Sequence, residues 1–157
     1  MAIQVNKIKF YRCSQWSEGS DHGGDIDTAN EIASGADQNI FDDVSDAQRV
    51  AGSTEYRKIY VRNENDDTWL QVVAWIAQFT PAENDEIAIA LGTNSGTVSS
   101  EGSGATYVSP DAKDHADALN IGDLAKNAYQ AIWIRRKVTA GGDGYSNNSF
   151  TLAFESS

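Results

Sequence analysis

Cys13, His22 and His115 are the side chains of this chain best suited to nucleophilic or acid–base work, and none of them sits in a motif that would activate it. Cysteine–histidine or serine–histidine–aspartate catalysis needs a base oriented by a third group. A metal or proton-transfer site needs carboxylate or thiolate partners at a defined spacing. His22 and His115 have neither, and both read as surface histidines in polar, loop-like surroundings. Two acidic groups stand out: Asp21, Asp25 and Asp27 around Gly23-Gly24, and Asp42, Asp43 and Asp46. Calcium takes several carboxylate and carbonyl oxygens from a flexible loop. The first group lacks the Asp-x-Asp-x-Asp-Gly register and the closing Glu of an EF-hand. Turn chemistry, with Asp accepting from nearby backbone N–H groups, is the simpler reading. No cofactor is called for, and calcium is the one metal these loops could hold. The glycines of 140–144 do not lead from a strand into a helix, so they make no phosphate cradle. With no nucleophile or acid–base pair to name, an enzyme is the weakest reading.

Recognition chemistry is better represented. Trp16, Trp69, Trp75 and Trp133 supply large amphipathic surfaces, and Arg135-Arg136-Lys137 is the only dense basic run. Trp69 and Trp75 read as packing residues. Trp133 falls on the strand face opposite Ile132 and Ile134, which makes it a candidate for contact with a partner. Trp16, Arg135 and Tyr145 complete the expected partner-binding set. Arg136 would share the apolar face of Ile132, Ile134 and Val138. Either its long stem reaches water at the end of the sheet, or it pairs with a carboxylate such as Asp42 or Asp43, or with a neighbouring subunit. The structural version is the favoured one.

The elements that must position these groups are strands. Residues 54–79 are the stretch around which the chain is organised. Ile59 and Val61 alternate with Tyr56, Lys58, Tyr60 and Arg62, the two-residue period of a strand with one buried face. The polar run 63–67 forms a turn, and 69–79 follows with two apolar rows, as in a strand central in a sheet or covered on both sides. The pair reads as a hairpin that needs a second sheet to be stable. Upstream, 3–13 is a strand whose phase change at Asn6-Lys7 suggests a β-bulge, and 25–34 holds a short strand ending at Ile32. Residues 46–52 are one helical turn or an irregular edge. Downstream, 86–91 is apolar on one face and sterically thin on the other, 92–104 is a flexible Gly/Ser loop, and 105–109 is a short strand. Ser109-Pro110-Asp111 looks like a helix start. Residues 119–124, 128–138 and 150–154 are further strands.

Roughly seven or eight short strands separated by turn signals, with no long helix, predict an all-β fold. The expected architecture is a single antiparallel β-sandwich, Ig-like or jelly-roll-like, spanning 1–157 as one domain, with 14–38 and 92–118 as long loops. The length of 157 residues suffices for one real core. A net charge of −11 opposes binding to nucleic acid or anionic membranes, whose phosphates call for clustered Lys and Arg. A lone cysteine allows no internal disulfide, and no stretch is long enough for a signal-peptide core or a membrane span. These features predict a chain made in a reducing cytoplasm.

Three pieces together, NIFDDV at 39–44, GSTEYRKIYVRN at 52–63, and 119–154 with its LNIGDL, AIWIRRKV and NNSFTLAF segments, carry a resemblance. The set resembles the Ig-like β-sandwich structural (decoration or cement) proteins of tailed-bacteriophage virions. The resemblance covers about two-thirds of the chain and rests on packing and turn features, so no catalytic residue is carried over. It implies a non-enzymatic capsid decoration protein made in the host cytoplasm and located in the virion. Its partners would be the major capsid protein or other virion proteins, bound as a homo-oligomer or as lattice-bound copies. A tail or neck component and a carbohydrate-binding or adhesion module are the alternatives.

Overall fold

The computed structural model describes residues 2–17, 21–33, 39–42, 44–79, 86–96, 99–108, 118–141 and 150–156, and the side chains of all of these except 78, 79, 99 and 100. Eight strands form two antiparallel sheets. They are β1 (Ile8–Gln15), β2 (Gly23–Glu31), β3 (Ser53–Asn63), β4 (Trp69–Phe79), β5 (Glu86–Leu91), β6 (Leu119–Leu124), β7 (Tyr129–Val138) and β8 (Phe150–Ser156). One sheet has the order β2-β1-β3-β7-β5, the other β6-β4-β8. An all-β sandwich is therefore the fold. Between the sheets lies a core of Phe41, Ile59, Val61, Trp69, Val72, Ala74, Ile76, Ile87, Ile89, Leu124, Ile132 and Ile134. β3, β4, β5, β6 and β7 contribute to it by alternation, which brings every second side chain to the same face, and β1 and β8 pack against it.

The 54–79 stretch is not a hairpin. β3 already pairs with β1 on one edge and with β7 on the other, so no edge remains for β4. Residues 63–69 instead form an arch that carries the chain across to the second sheet. Asn63, fully buried, holds that arch. Its Nδ2 donates to the carbonyls of Asp67 (2.9 Å) and Leu124 (2.8 Å), and its Oδ1 accepts from the backbone N–H (3.0 Å) and the side-chain Nδ2 (2.9 Å) of Asn65. The Asn63 backbone also bonds Asn127 and Ala128 in the β6–β7 turn. One side chain thus ties together both connections that change sheets at this end.

β4 is central in its sheet, between β6 and β8. Gln71, at φ +50°, marks a bulge against β6 that shifts the side-chain phase by one. Trp69 therefore joins Val72, Ala74 and Ile76 in the core, while Leu70 turns outward. The phase change near Asn6-Lys7 is a 3-10 turn at Val5–Lys7 rather than a β-bulge within a strand. Residues 46–52 do form a helix, α1 (Asp46–Ala51), closed by a capping box between Ser45 and Gln48. The 14–38 region is not a loop throughout, since β2 runs inside it. The 92–118 region likewise holds a short helix, α2 (Ser99–Gly104), where a flexible loop was expected. Val108 makes a two-bond bridge with Ile89 at the place of the short strand expected over 105–109. The helix start expected at Ser109-Pro110-Asp111 lies outside the described residues.

Candidate functional site

The outer face of the five-stranded sheet is covered as well as the inner one. Register places Lys58 opposite Trp133, Tyr60 opposite Ala131 and Ala90 opposite Trp133, all facing away from the sandwich core. Tyr11, Cys13, Tyr60 and Ala131 form a second buried cluster there, with Trp16, Ile26 and Tyr129 packed against it. Two polar segments lie over this face. Trp16, Ser17 and His22 lie on one side, and 92–96 with α2 cover the other, where α2 packs on β3 and β7.

His22 and Cys13 meet under the first segment, with Sγ 3.3 Å from Nε2 and both residues buried. The spacing is that of a cysteine–histidine dyad, but the imidazole lone pair that would take the thiol proton is already engaged. The Lys58 backbone N–H donates to Nε2 at 2.8 Å, so that nitrogen carries the lone pair. Nδ1 then holds the hydrogen and donates to the Ser17 carbonyl at 3.0 Å. Burial, with the nearby Arg57 charge, lowers the imidazole to about 4, so it stays neutral. Burial likewise pushes the Cys13 thiol up to about 11. A neutral thiol beside a neutral imidazole is a packed pair, and through that imidazole Ser17 is fastened to β3. A thiolate is the reactive form of cysteine. We therefore expect the Cys13 thiol of the folded protein to react with an aromatic disulfide reagent at pH 8 at least ~100-fold more slowly than in urea. Fast, stoichiometric release of the chromophore without denaturant would contradict this.

The same neutral histidine makes stability pH-dependent. His22 is fully buried and its folded pKa lies below the ordinary histidine value of 6.5. Between the two values the unfolded chain binds the proton and the folded one does not, so stability falls as pH drops from about 6.5 toward about 4. At pH 4.5 the expected loss relative to neutral pH is about 2.5 kcal/mol. Urea titrations at the two pH values check it, with His22→Gln as the control in which this part of the slope disappears.

Under the second segment, Lys58 and Trp133 are both fully buried. Lys58 Nζ donates to the Ser95 carbonyl at 2.9 Å and lies 5.4 Å and 5.7 Å from the ring centres of Tyr60 and Trp133. Burial lowers its pKa, while the charges of Glu101 and Asp25 oppose that shift. Trp133 Nε1 donates to Glu101 Oε1 at 2.9 Å. That carboxylate also accepts from the Thr93 backbone N–H (2.8 Å) and hydroxyl (2.7 Å). Trp133 is therefore not a surface contact residue. The face opposite Ile132 and Ile134 is occupied by the chain's own polar cover, which its lack of apolar side chains made illegible as a cover.

The remaining expected contact residues are dispersed. Trp16 is half-buried beneath the Arg12 guanidinium, 4.8 Å from its ring centre. Arg135 stacks 4.7 Å over Tyr107 and pairs with Glu86. Tyr145 and His115 lie outside the described residues. Arg136 finds a carboxylate, but it is Glu55 (2.6 Å), and Asp42 contributes only its backbone carbonyl. Among the first acidic group, Asp21 bonds the Ser17 hydroxyl, and Asp27 accepts from the Ala29 N–H and the Asn30 amide. These are turn bonds. Among the described residues no three His, Cys, Asp or Glu side chains are grouped to hold a metal ion, and no helix is long and apolar enough to cross a membrane.

The fold and these sites define a class: a two-sheet antiparallel β-sandwich with polar segments clamped onto the outside of its larger sheet. Comparison with known proteins returned no matching family model, no similar curated protein and no similar solved structure.

Proposed function

We propose that the chain is a non-enzymatic virion structural protein that decorates the outer surface of a tailed-phage head, binding the shell through its loops, N-terminal segment and exposed strand edges. The observation that carries the reading is how the buried and half-buried polar groups are engaged. His22, Lys58, Glu101, Asn63 and Glu55 each hold a segment of this chain in place rather than facing a cleft. Segments held in this way give a preformed docking surface, which reduces the ordering cost of binding. The resemblance of the 39–44, 52–63 and 119–154 segments to phage decoration proteins supplies the partner, and the acidic balance suits an outward-facing shell protein better than one against packaged DNA. Many weakly bound copies on a lattice would reinforce one another. Trp16, Arg135 and Tyr145 remain the proposed contacts.

The test is co-sedimentation of the purified chain with capsids stripped of it, over a range of concentrations. Saturable binding at a fixed ratio to the major shell protein is the expected result. Association with isolated tails instead would make it a tail or neck component. Capture on a glycan array, abolished by chelator, would make it an adhesion module. Either of those results overturns the decoration assignment.

A further inference from the structure

Toward the end of β7 the outer face of the larger sheet reaches solvent, and strand alternation divides the basic run 135–137 there. Arg136 turns to the core side and has both terminal nitrogens engaged, by the Asp42 carbonyl and the Glu55 carboxylate. Arg135 and Lys137 turn outward with Trp133, across from Tyr56 and Thr54 of β3. Arg135 engages only Nη2, on Glu86, and its Nη1 has no partner among the described residues. With 27% of its side chain exposed, that guanidinium is within reach of a second molecule. Lys137 is exposed and forms no ion pair among the described residues.

The floor under these two cations is aromatic. Tyr107 stands next to the Val108–Ile89 bridge, with the Arg135 guanidinium 4.7 Å from its ring centre and the Tyr56 ring 6.0 Å away. The Tyr107 hydroxyl is buried without a hydrogen-bond partner, and burial raises its pKa, so it keeps its proton. Ring packing therefore fixes the guanidinium plane, rather than a completed set of hydrogen bonds. Arginine and tyrosine are among the residue types that dominate binding at interfaces, and a stack fixed in advance loses little freedom on docking.

Charge selects the partner. Arg135 and Lys137 share one paired carboxylate, Glu86, so this end of the face carries a local positive excess in a chain of net charge −11. Positions two apart on a strand are separated by about 7 Å, a gap that two long basic side chains can close onto one carboxylate. A polyphosphate would meet the same donors but is repelled by the charge of the whole chain. A single acidic loop on a protein surface is not penalised in that way.

We infer that Arg135 Nη1 and Lys137 Nζ, standing on the Tyr56–Tyr107 floor, dock a carboxylate from an acidic loop of the shell protein. This contact, which rests on the decoration reading above, gives that reading a place on the sheet and a partner chemistry.

Co-sedimentation with stripped capsids tests both, each variant being compared with the native chain. Lys137→Glu is expected to weaken binding about tenfold or more, because it sets like charges against each other at the contact. Lys137→Arg should bind as the native chain does. Lys126→Glu, an equal change in net charge at the arch end of the sandwich, should also leave binding unchanged. A water-soluble carbodiimide, which joins an amine to a touching carboxylate, should link Lys137 of the native chain to an Asp or Glu of the shell protein. That readout does not depend on how any variant folds. If the native chain binds saturably, but Lys137→Glu binds no worse than Lys126→Glu and Lys137 is not linked, the carboxylate contact is overturned and decoration stands. If the native chain does not bind capsids at all, both fall together.

Discussion

Replacing Asn63 with alanine is expected to lower the unfolding free energy by about 3–4 kcal/mol. The side chain is fully buried and makes four bonds, two as donor to the Asp67 and Leu124 carbonyls and two as acceptor from Asn65. Alanine supplies none of them, and each buried group left without a partner costs about 1–3 kcal/mol. Aspartate is expected to be no better, despite its shape. It would turn a carboxylate oxygen toward two carbonyls where the amide now donates. Urea denaturation followed by tryptophan emission measures both. A loss below about 1 kcal/mol in Asn63→Ala would mean that water or a shifted backbone replaces these bonds, and that the arch does not depend on this residue.

Glu55→Gln is expected to cost about 3 kcal/mol, for a different reason. Glu55 accepts from Gln48 (2.9 Å), Arg57 (3.2 Å) and Arg136 (2.6 Å), and its side chain is 12% exposed against 1% for Arg57 and 13% for Arg136. Both guanidinium groups also lie over the Phe41 ring, at 5.1 Å and 4.7 Å. Taking the negative charge away leaves two cations crowded against one aromatic face in a poorly hydrated place. Breaking a buried ion pair from one side typically costs about 3–5 kcal/mol, whereas replacing the whole pair by apolar groups can be neutral. The double variant Glu55→Leu, Arg136→Leu should therefore recover part of the loss suffered by Glu55→Gln. Because the group is buried, the loss should persist in high salt, unlike that of a surface pair such as Lys126–Asp66. If added salt alone erased the difference between Glu55→Gln and the native chain, the cluster would be acting as a surface charge pair.

Strand positions were legible in the sequence because a two-residue alternation survives whatever the strand packs against. Ile87, Ile89, Ile132, Ile134, Phe150 and Leu152 all fall on or against the core their spacing indicates. What alternation cannot express is which sheet a strand joins. The polar run 63–67 reads as a hairpin turn. Only the buried amide of Asn63, bonded to Leu124 in a strand far along the chain, makes it an inter-sheet arch. The candidate sites were less legible, because they depend on what covers the outer face. Ala88 and Ala90 are thin and both are buried, Ala90 directly across from Trp133, but a Gly/Ser segment gives no periodic signal that it will lie over an indole. Cys13 and His22 are nine residues apart in loop-like sequence and meet only because β2 turns back on β1. The signal that was available is Lys58. A lysine between Tyr56 and Tyr60 on one face of a central strand needs polar partners on that face, and the cover supplies one in the Ser95 carbonyl.

The arch has a kinetic consequence. Since β3 and β4 are not partners, neither can be completed by the segment that follows it during synthesis. β3 waits for β7, which pairs Tyr56 with Arg135, and β4 waits for β6 and finally β8, which pairs Phe79 with Phe150. Such distant pairings fold slowly, because loop closure precedes any contact that rewards it. Until Phe150–Ser156 has left the ribosome, the most apolar strand of the chain has one open edge, and an open apolar edge can pair with another nascent chain. Yield of soluble protein should therefore depend more on how fast the chain is made than on how stable the finished sandwich is.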